Sequence, residues 1–265
     1  MNPLAVSELQ DVQNQPDHRG VPIDEVGIAG LRLPIRVAGP GGTAQPTVAS
    51  IAMNVELDAG TKGTHMSRFV EVLSSQNVAF DGAALGRVAR ELQARLDTTA
   101  ARIDLDFPYF VDRSAPVTGG SAPVEYTGRL HVEARHGVTI RVGVQVPVAS
   151  LCPCSKEISD YGAHNQRGYV DIDVVCADGA TVWIEDLIAA AEGAASAPVY
   201  ALLKRPDERF VTMQAYENPA FVEDIARDVA VTLREDARIE SFVVTVRNLE
   251  SIHAHDAVAT VRGRR

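Results

Sequence analysis

A chain of 265 residues, 46% apolar and 23% charged, can bury a substantial core and at this length holds one or two domains. Its formal charge is -10 and its Lys and Arg residues are scattered, which excludes the basic patch a nucleic-acid surface needs; a small anionic substrate stays admissible, because a pocket can be locally basic on an acidic protein. No apolar run approaches the roughly 20 residues of a membrane span, so no membrane partner is expected.

Residues 1–27 read as a polar leader, expected to be loose and without the apolar stretch of a signal peptide. Strand-like runs follow at 31–37 and 48–57, split by a Gly/Pro turn at 39–42. Two helical stretches come next, 66–75 and 83–96; the second puts Leu85, Val88, Ala89, Leu92 and Leu96 on one face. Ile103, Leu105 and Phe107 then alternate with charged neighbours, as do Leu130, Val132 and Ala134, so both stretches read as half-buried strands.

The pattern restarts near Gly137. Val138, Ile140, Val142, Val144 and Val146 alternate along one strand, and Val170, Ile172 and Val174 along another. Helices are expected at 184–192 and 220–234, the latter opened by Asn218 and Pro219 and striped by Val222, Ile225, Ala226, Val229 and Leu233. Closing strands fall at 239–246 and 257–261. The order ββααββ thus occurs twice, in units 28–137 and 138–265, as a repeat of topology with no evident sequence identity. Alternating strands predict an α+β protein whose antiparallel sheets carry helices on one face. Their open edges predict a homo-oligomer with active sites between subunits.

Within the second unit a long aperiodic loop carries the chemistry: Ser150-Leu-Cys-Pro-Cys-Ser-Lys-Glu-Ile-Ser-Asp-Tyr-Gly-Ala-His164-Asn-Gln-Arg167-Gly. Cys152, Cys154 and His164 offer soft ligands to a transition metal. A structural zinc site wants four ligands in close pairs, which the chain lacks; an open catalytic site needs three, and the carboxylates near the second helix pair, such as Glu208, are candidates for the third. A Cys152–Cys154 disulfide would be strained, and reduced thiols point to the cytoplasm. Cys176 continues the inward phase of Val170, Ile172 and Val174 and reads as core. In Glu250-Ser-Ile-His253-Ala-His255-Asp256 the two histidines share a face if extended; the alternative is a solvated turn. His131 and His136 read as surface residues.

Taken together, the motifs resemble the type IB GTP cyclohydrolases. The matching stretches are Asp-His-Arg-Gly-Val near the start, Gly-Thr-His-Met-Ser-Arg-Phe at 63–69, Ser-Leu-Cys-Pro-Cys-Ser-Lys-Glu-Ile-Ser at 150–159 and Gly-Ala-His-Asn-Gln-Arg at 162–167. Lys-Arg-Pro-Asp-Glu at 204–208, Asn-Pro-Ala-Phe-Val-Glu-Asp at 218–224 and Glu-Ser-Ile-His-Ala-His-Asp at 250–256 complete the set. The resemblance implies a tunnelling fold, two ββααββ units per chain, a homotetramer, and conversion of GTP and water to 7,8-dihydroneopterin triphosphate and formate at the start of folate synthesis. It implies a divalent metal, zinc or a substitute such as manganese, held by Cys152, His164 and Glu208. It further implies that Glu223 anchors guanine, which a carboxylate can do by accepting from ring N–H and exocyclic amine together, and that His253, with His255 nearby, carries protons. Cys154 is then a spare thiol. Cations for the triphosphate come from Lys62, His65, Arg68, Lys156, Arg167, Lys204 and Arg205, with Lys156 and Arg167 favoured because they flank the metal loop. Two rival readings are a tunnelling-fold nitrile reductase with a cysteine nucleophile and NADPH, and a nucleotide-binding protein that has lost activity.

Overall fold

In the computed structural model, which describes residues 10–265, the strands join a single antiparallel sheet. The first unit contributes β1 (Ile23–Ala38), β2 (Ala44–Leu57), α1 (Met66–Ser74), α2 (Gly82–Leu96), β3 (Ala101–Ser114) and β4 (Ser121–Ala134). The second contributes β5 (Val138–Leu151), α3 (Pro153–Ile158), β6 (Asn165–Cys176), α4 (Ile184–Ala194), the two-residue β7 (Ala197–Pro198), α5 (Arg205–Glu217), α6 (Val222–Glu235), β8 (Ile239–Asn248) and β9 (Ala257–Arg264). Strand order is β1-β2-β3-β4-β5-β6-β8-β9, with β7 beside β5. β4 and β5 pair from Ala134 opposite Val138 to Thr127 opposite Gln145, so the sheet runs unbroken through the join at Gly137.

One face of this sheet is apolar because every second residue points to it. Ala101, Ile103, Leu105 and Phe107 on β3 are buried while Arg102 and Asp106 between them are exposed. The helices cover that face with the stripes read from the sequence. Leu85, Val88, Ala89 and Leu92 of α2 and Val222, Ile225, Ala226, Val229 and Leu233 of α6 all lie in the core. Each buried Leu, Val or Ile contributes roughly 1.5–3 kcal/mol. Asp81 starts α2 by accepting from Ala84 N at 2.6 Å. Cys176 is buried as expected, and burial pushes its thiol up from the ordinary value.

The opposite face carries lateral ion pairs. Arg129 on β4 spans β5 to reach Asp171 at 2.6 Å and Asp173 at 3.1 Å on β6. It crosses at Gly143, where a Cβ would lie 2.2 Å from Asp173 Oδ1 and 2.8 Å from Arg129 Nε; only glycine leaves the path open. His131, expected on the surface, is half-buried and bonds Asp104 through Nδ1 at 2.7 Å, while Arg102 donates to the same carboxylate at 3.0 Å.

Three expectations need correction. First, the described part of the leader is docked: Asp17 N bonds Gly60 O at 2.9 Å and Lys62 N bonds Gln15 O at 3.2 Å, and β1 already begins at Ile23; residues 1–9 lie outside the described residues. Second, the loop after β5 is not wholly irregular but holds the short helix α3. Third, Asn218 does not open α6. It closes α5, its N–H bonding Gln214 O at 3.0 Å, and α6 starts at Val222 with Asp224 accepting from Phe221 N at 3.1 Å. No helix among the described residues is long and apolar enough to cross a membrane.

Candidate active site

The antiparallel register places particular connections at one end of the sheet. Leu151 faces Asn165, Ser114 faces Ser121, Gly168 faces Asn248, and Asn248 faces Ala257. The β5–β6 loop, the β3–β4 hairpin tip and the 249–256 tail therefore share that end. β7, paired with Val148 and Ala149, joins them, and so does the start of α6, because Ala220 N bonds Leu151 O at 3.1 Å.

Backbone and hydroxyl bonds close the β5–β6 loop at its base. Cys152 N donates to His164 O at 3.2 Å, and His164 N donates to Ser155 Oγ at 3.2 Å. Cys152 also caps α3, its Sγ accepting from Ser155 N at 3.4 Å. The His164 ring meets the tail, with Nδ1 at 3.2 Å from Ser251 Oγ. Gln166 holds that tail in turn: its Nε2 donates to Glu250 Oε1 at 2.8 Å and its Oε1 accepts from Ser251 N at 3.4 Å. Underneath, Ser150 Oγ donates to Ala220 O at 3.1 Å and accepts from Asn248 Nδ2 at 2.8 Å. A thiol, an imidazole and the serine that touches it thus belong to one hydrogen-bonded assembly.

The remaining expected site residues divide into two groups. Glu223, in the first turn of α6, and His253 and His255, on the tail, are exposed at the same end; the two imidazoles stack with centroids 5.3 Å apart. Lys156 donates to Tyr216 O at 2.5 Å and sits 4.3 Å from the centre of the Tyr216 ring, fastening α3 to the end of α5. The Arg167 carbonyl accepts from Leu249 N at 2.9 Å, leaving its side chain exposed. Lys62, His65 and Arg68 follow the opposite end of β2, at the far end of the sheet. There Lys62 bonds Gln15 at 3.0 Å, His65 bonds Asp11 at 3.1 Å and Arg68 bonds Arg95 O at 3.4 Å. A single chain does not bring these three to the Cys152 loop.

For a divalent metal, the donors fit in kind. Thiolate, imidazole and carboxylate suit a borderline divalent ion. Cys152 and His164 flank one loop base, and His164 Nε2 has no hydrogen-bond partner among the described residues. Glu208 is exposed in the first turn of α5. No three His, Cys, Asp or Glu side chains stand close enough to hold a metal among the described residues.

Two polar residues at this end escaped the sequence reading. Ser251 lies beside the histidine motif but carries no signal of its own. Asp207 is fully buried, accepting from Val117 N and Thr118 N at 2.9 Å each, Thr118 Oγ1 at 2.7 Å and Lys204 N at 2.9 Å. Burial alone would raise its pKa, but these donors outweigh burial and hold the carboxyl well below the usual carboxylate range. Its signal was the Arg-Pro-Asp-Glu run, a helix start with proline and acids in the first turn.

Comparison with known proteins agrees over nearly the whole chain. The family model described as type I GTP cyclohydrolase folE2 matches residues 9–259. A protein named GTP cyclohydrolase FolE2 from Paraburkholderia phymatum is 47% identical over 262 residues, covering 98% of this chain and 96% of that protein. One of the same name from Thermotoga neapolitana is 46% identical, covering 96% of each. Among solved structures, uricase from Arthrobacter globiformis superposes with a TM-score of 0.53 at 11% identity, covering 91% of this chain and 93% of that one. At that identity the likeness speaks for architecture alone, and the architecture is the tunnelling fold.

Proposed function

The chain belongs to the type I GTP cyclohydrolase folE2 family, and from that premise we propose that it converts GTP and water to 7,8-dihydroneopterin triphosphate and formate with a divalent metal ion held by Cys152, His164 and Glu208. The enzyme class, a GTP cyclohydrolase of folate biosynthesis, follows from membership itself, and with it the nitrile-reductase and inactive-binder readings fall away. The observation that carries the finer reading is the hydrogen-bonded assembly joining Cys152, His164 and Ser251 at the sheet end shared with Glu223, His253 and His255.

When bound, a divalent ion supplies a Lewis acid that makes water acidic near neutral pH. Ser251 holds the His164 ring through Nδ1, which would leave the other ring nitrogen free to hold the ion. Glu223 accepts from the guanine ring N–H and exocyclic amine. His253 transfers protons at the purine ring nitrogen that departs from C8, and His255, stacked on it, keeps its ring in place. Lys156 and Arg167 receive the triphosphate on one side. Lys62, His65 and Arg68, at the far end of the sheet, serve a site only when supplied by another copy, which supports a homotetramer with shared sites. We place the enzyme in the cytoplasm, where its three thiols stay free.

The test is incubation of the zinc- or manganese-loaded protein with GTP. Formate and a pterin that fluoresces after oxidation should appear in equal amounts, and neither should form after chelation. Turnover unchanged by complete metal removal would refute the metal-dependent reading.

A further inference from the structure

α5 is poorly anchored by apolar contact. Its only buried residues are Asp207 and Ala215, while Phe210, Met213 and Tyr216 are exposed. Its two ends are held by polar bonds: Lys156 grips the carbonyl of Tyr216, and Asp207 grips the β3–β4 hairpin tip. Asp207 is the one carboxylate among the described residues that is buried, and it has no cationic partner; both its oxygens are filled by neutral donors, Oδ1 by Val117 N and Thr118 N, Oδ2 by Thr118 Oγ1 and Lys204 N. The hairpin that presents those donors is itself closed by Ala115 N on Gly120 O at 2.8 Å and Gly119 N on Ala115 O at 3.0 Å.

These bonds cross between the units. The donors at 117 and 118 belong to the first, and the helix they hold belongs to the second. A cap for α5 alone needs only the bond to Lys204 N, which Ser or Asn could accept. The three bonds to the hairpin go further and fix the first turn of α5 in space. Glu208 is the next residue, and its N–H bonds Lys204 O at 2.9 Å, so its backbone is set by the same turn.

We propose that Asp207 is a positioning residue: by clamping the first turn of α5 to the β3–β4 hairpin tip it sets where Glu208 stands relative to Cys152 and His164, and so sets the affinity of the site for a divalent cation. This rests on the reading of Glu208 as the third ligand. The clamp makes the first unit, which carries none of the three ligands, a determinant of metal binding in the second.

Cobalt(II) titration of the metal-free full-length protein tests it, read by the thiolate-to-cobalt absorption and the d–d bands, with thermal melting in parallel. Wild type should show a band that Cys152→Ser removes, and Glu208→Gln should weaken binding. Asp207→Asn should weaken cobalt binding by roughly 10-fold or more, the scale of loss for residues that orient ligands. Thr118→Val, which removes one donor from the hairpin side and guards against a misfolded Asp207→Asn, should weaken it less with little change in melting. In a Glu208→Gln background Asp207→Asn should add almost nothing, a coupling that a purely structural role does not produce. Wild-type affinity in both Asp207→Asn and Thr118→Val, with the Cys152 band present and Glu208→Gln weakened, would overturn the positioning role and leave the metal reading standing. A Cys152 band missing from wild type itself would overturn both.

Discussion

The two halves of the chain share a scaffold and differ in what hangs from it. In the first unit β1 passes to β2 through a tight Gly-Pro turn containing Pro40–Gly42, and its two helices follow with no element between them. In the second, the equivalent connection carries α3 and the Cys152–His164 base, and β7 and α5 are inserted between α4 and α6. These additions gather at one end of the sheet. The stripes that bury α2 and α6 are interchangeable in kind, so packing does not distinguish the halves; the insertions do. Architecture here is repeated, and the loop carrying Cys152 and His164 is added once.

That contrast can be broken or sharpened by substitution. The largest effect belongs to the added loop: Cys152→Ala should lower formation of formate and pterin by at least about 100-fold, beyond the loss typical of residues that merely orient ligands, while circular dichroism and melting stay near wild type. Full activity in that variant would remove Cys152 from the site. The shared scaffold should answer differently. Leu85→Ala on α2 and Ile225→Ala on α6 should each cost about 2–5 kcal/mol in denaturant unfolding, because both side chains are fully buried; a cost confined to one helix would contradict equivalent packing.

At the seam between halves, Gly143→Ala should cost about 1–3 kcal/mol, since its methyl must displace the Arg129 pairs with Asp171 and Asp173. An unchanged midpoint would mean that those pairs yield freely. The smallest effect concerns Asp104. Its burial raises its pKa, but bonds from His131 and Arg102 outweigh burial and hold it below the ordinary aspartate value of 3.8. A carboxyl lowered in the folded state stabilises above its unfolded pKa and loses that contribution as pH falls through the folded one. Asp104→Asn should therefore cost about 1 kcal/mol at pH 7, and the gap should close as pH falls below 3.8. A gap independent of pH would assign the loss to packing.

What the sequence revealed follows the same division. Period-2 strands and the stripes of α2 and α6 were legible because burial imposes them on residue type. α5 was not, because Phe210, Met213 and Tyr216 lie exposed and leave no inward stripe, although Pro206 and Asp207 mark its start. The strand ends β1 23–30 were missed because Gly27 and Gly30 interrupt the alternation where the register with β2 shifts. At the site, Cys152 and His164 were conspicuous as residue types. Ser251 and Asp207 were not, since their contacts come from residues many positions away, supplied only by the register.

Because β4 and β5 are hydrogen-bonded neighbours across Gly137, the topological repeat is not a pair of separable modules. Severing the chain there would bare two rows of backbone amides and carbonyls that the intact sheet satisfies, templates for pairing with other chains. The halves are accordingly expected to melt together in one cooperative transition, and an isolated half to aggregate rather than stand as a smaller protein.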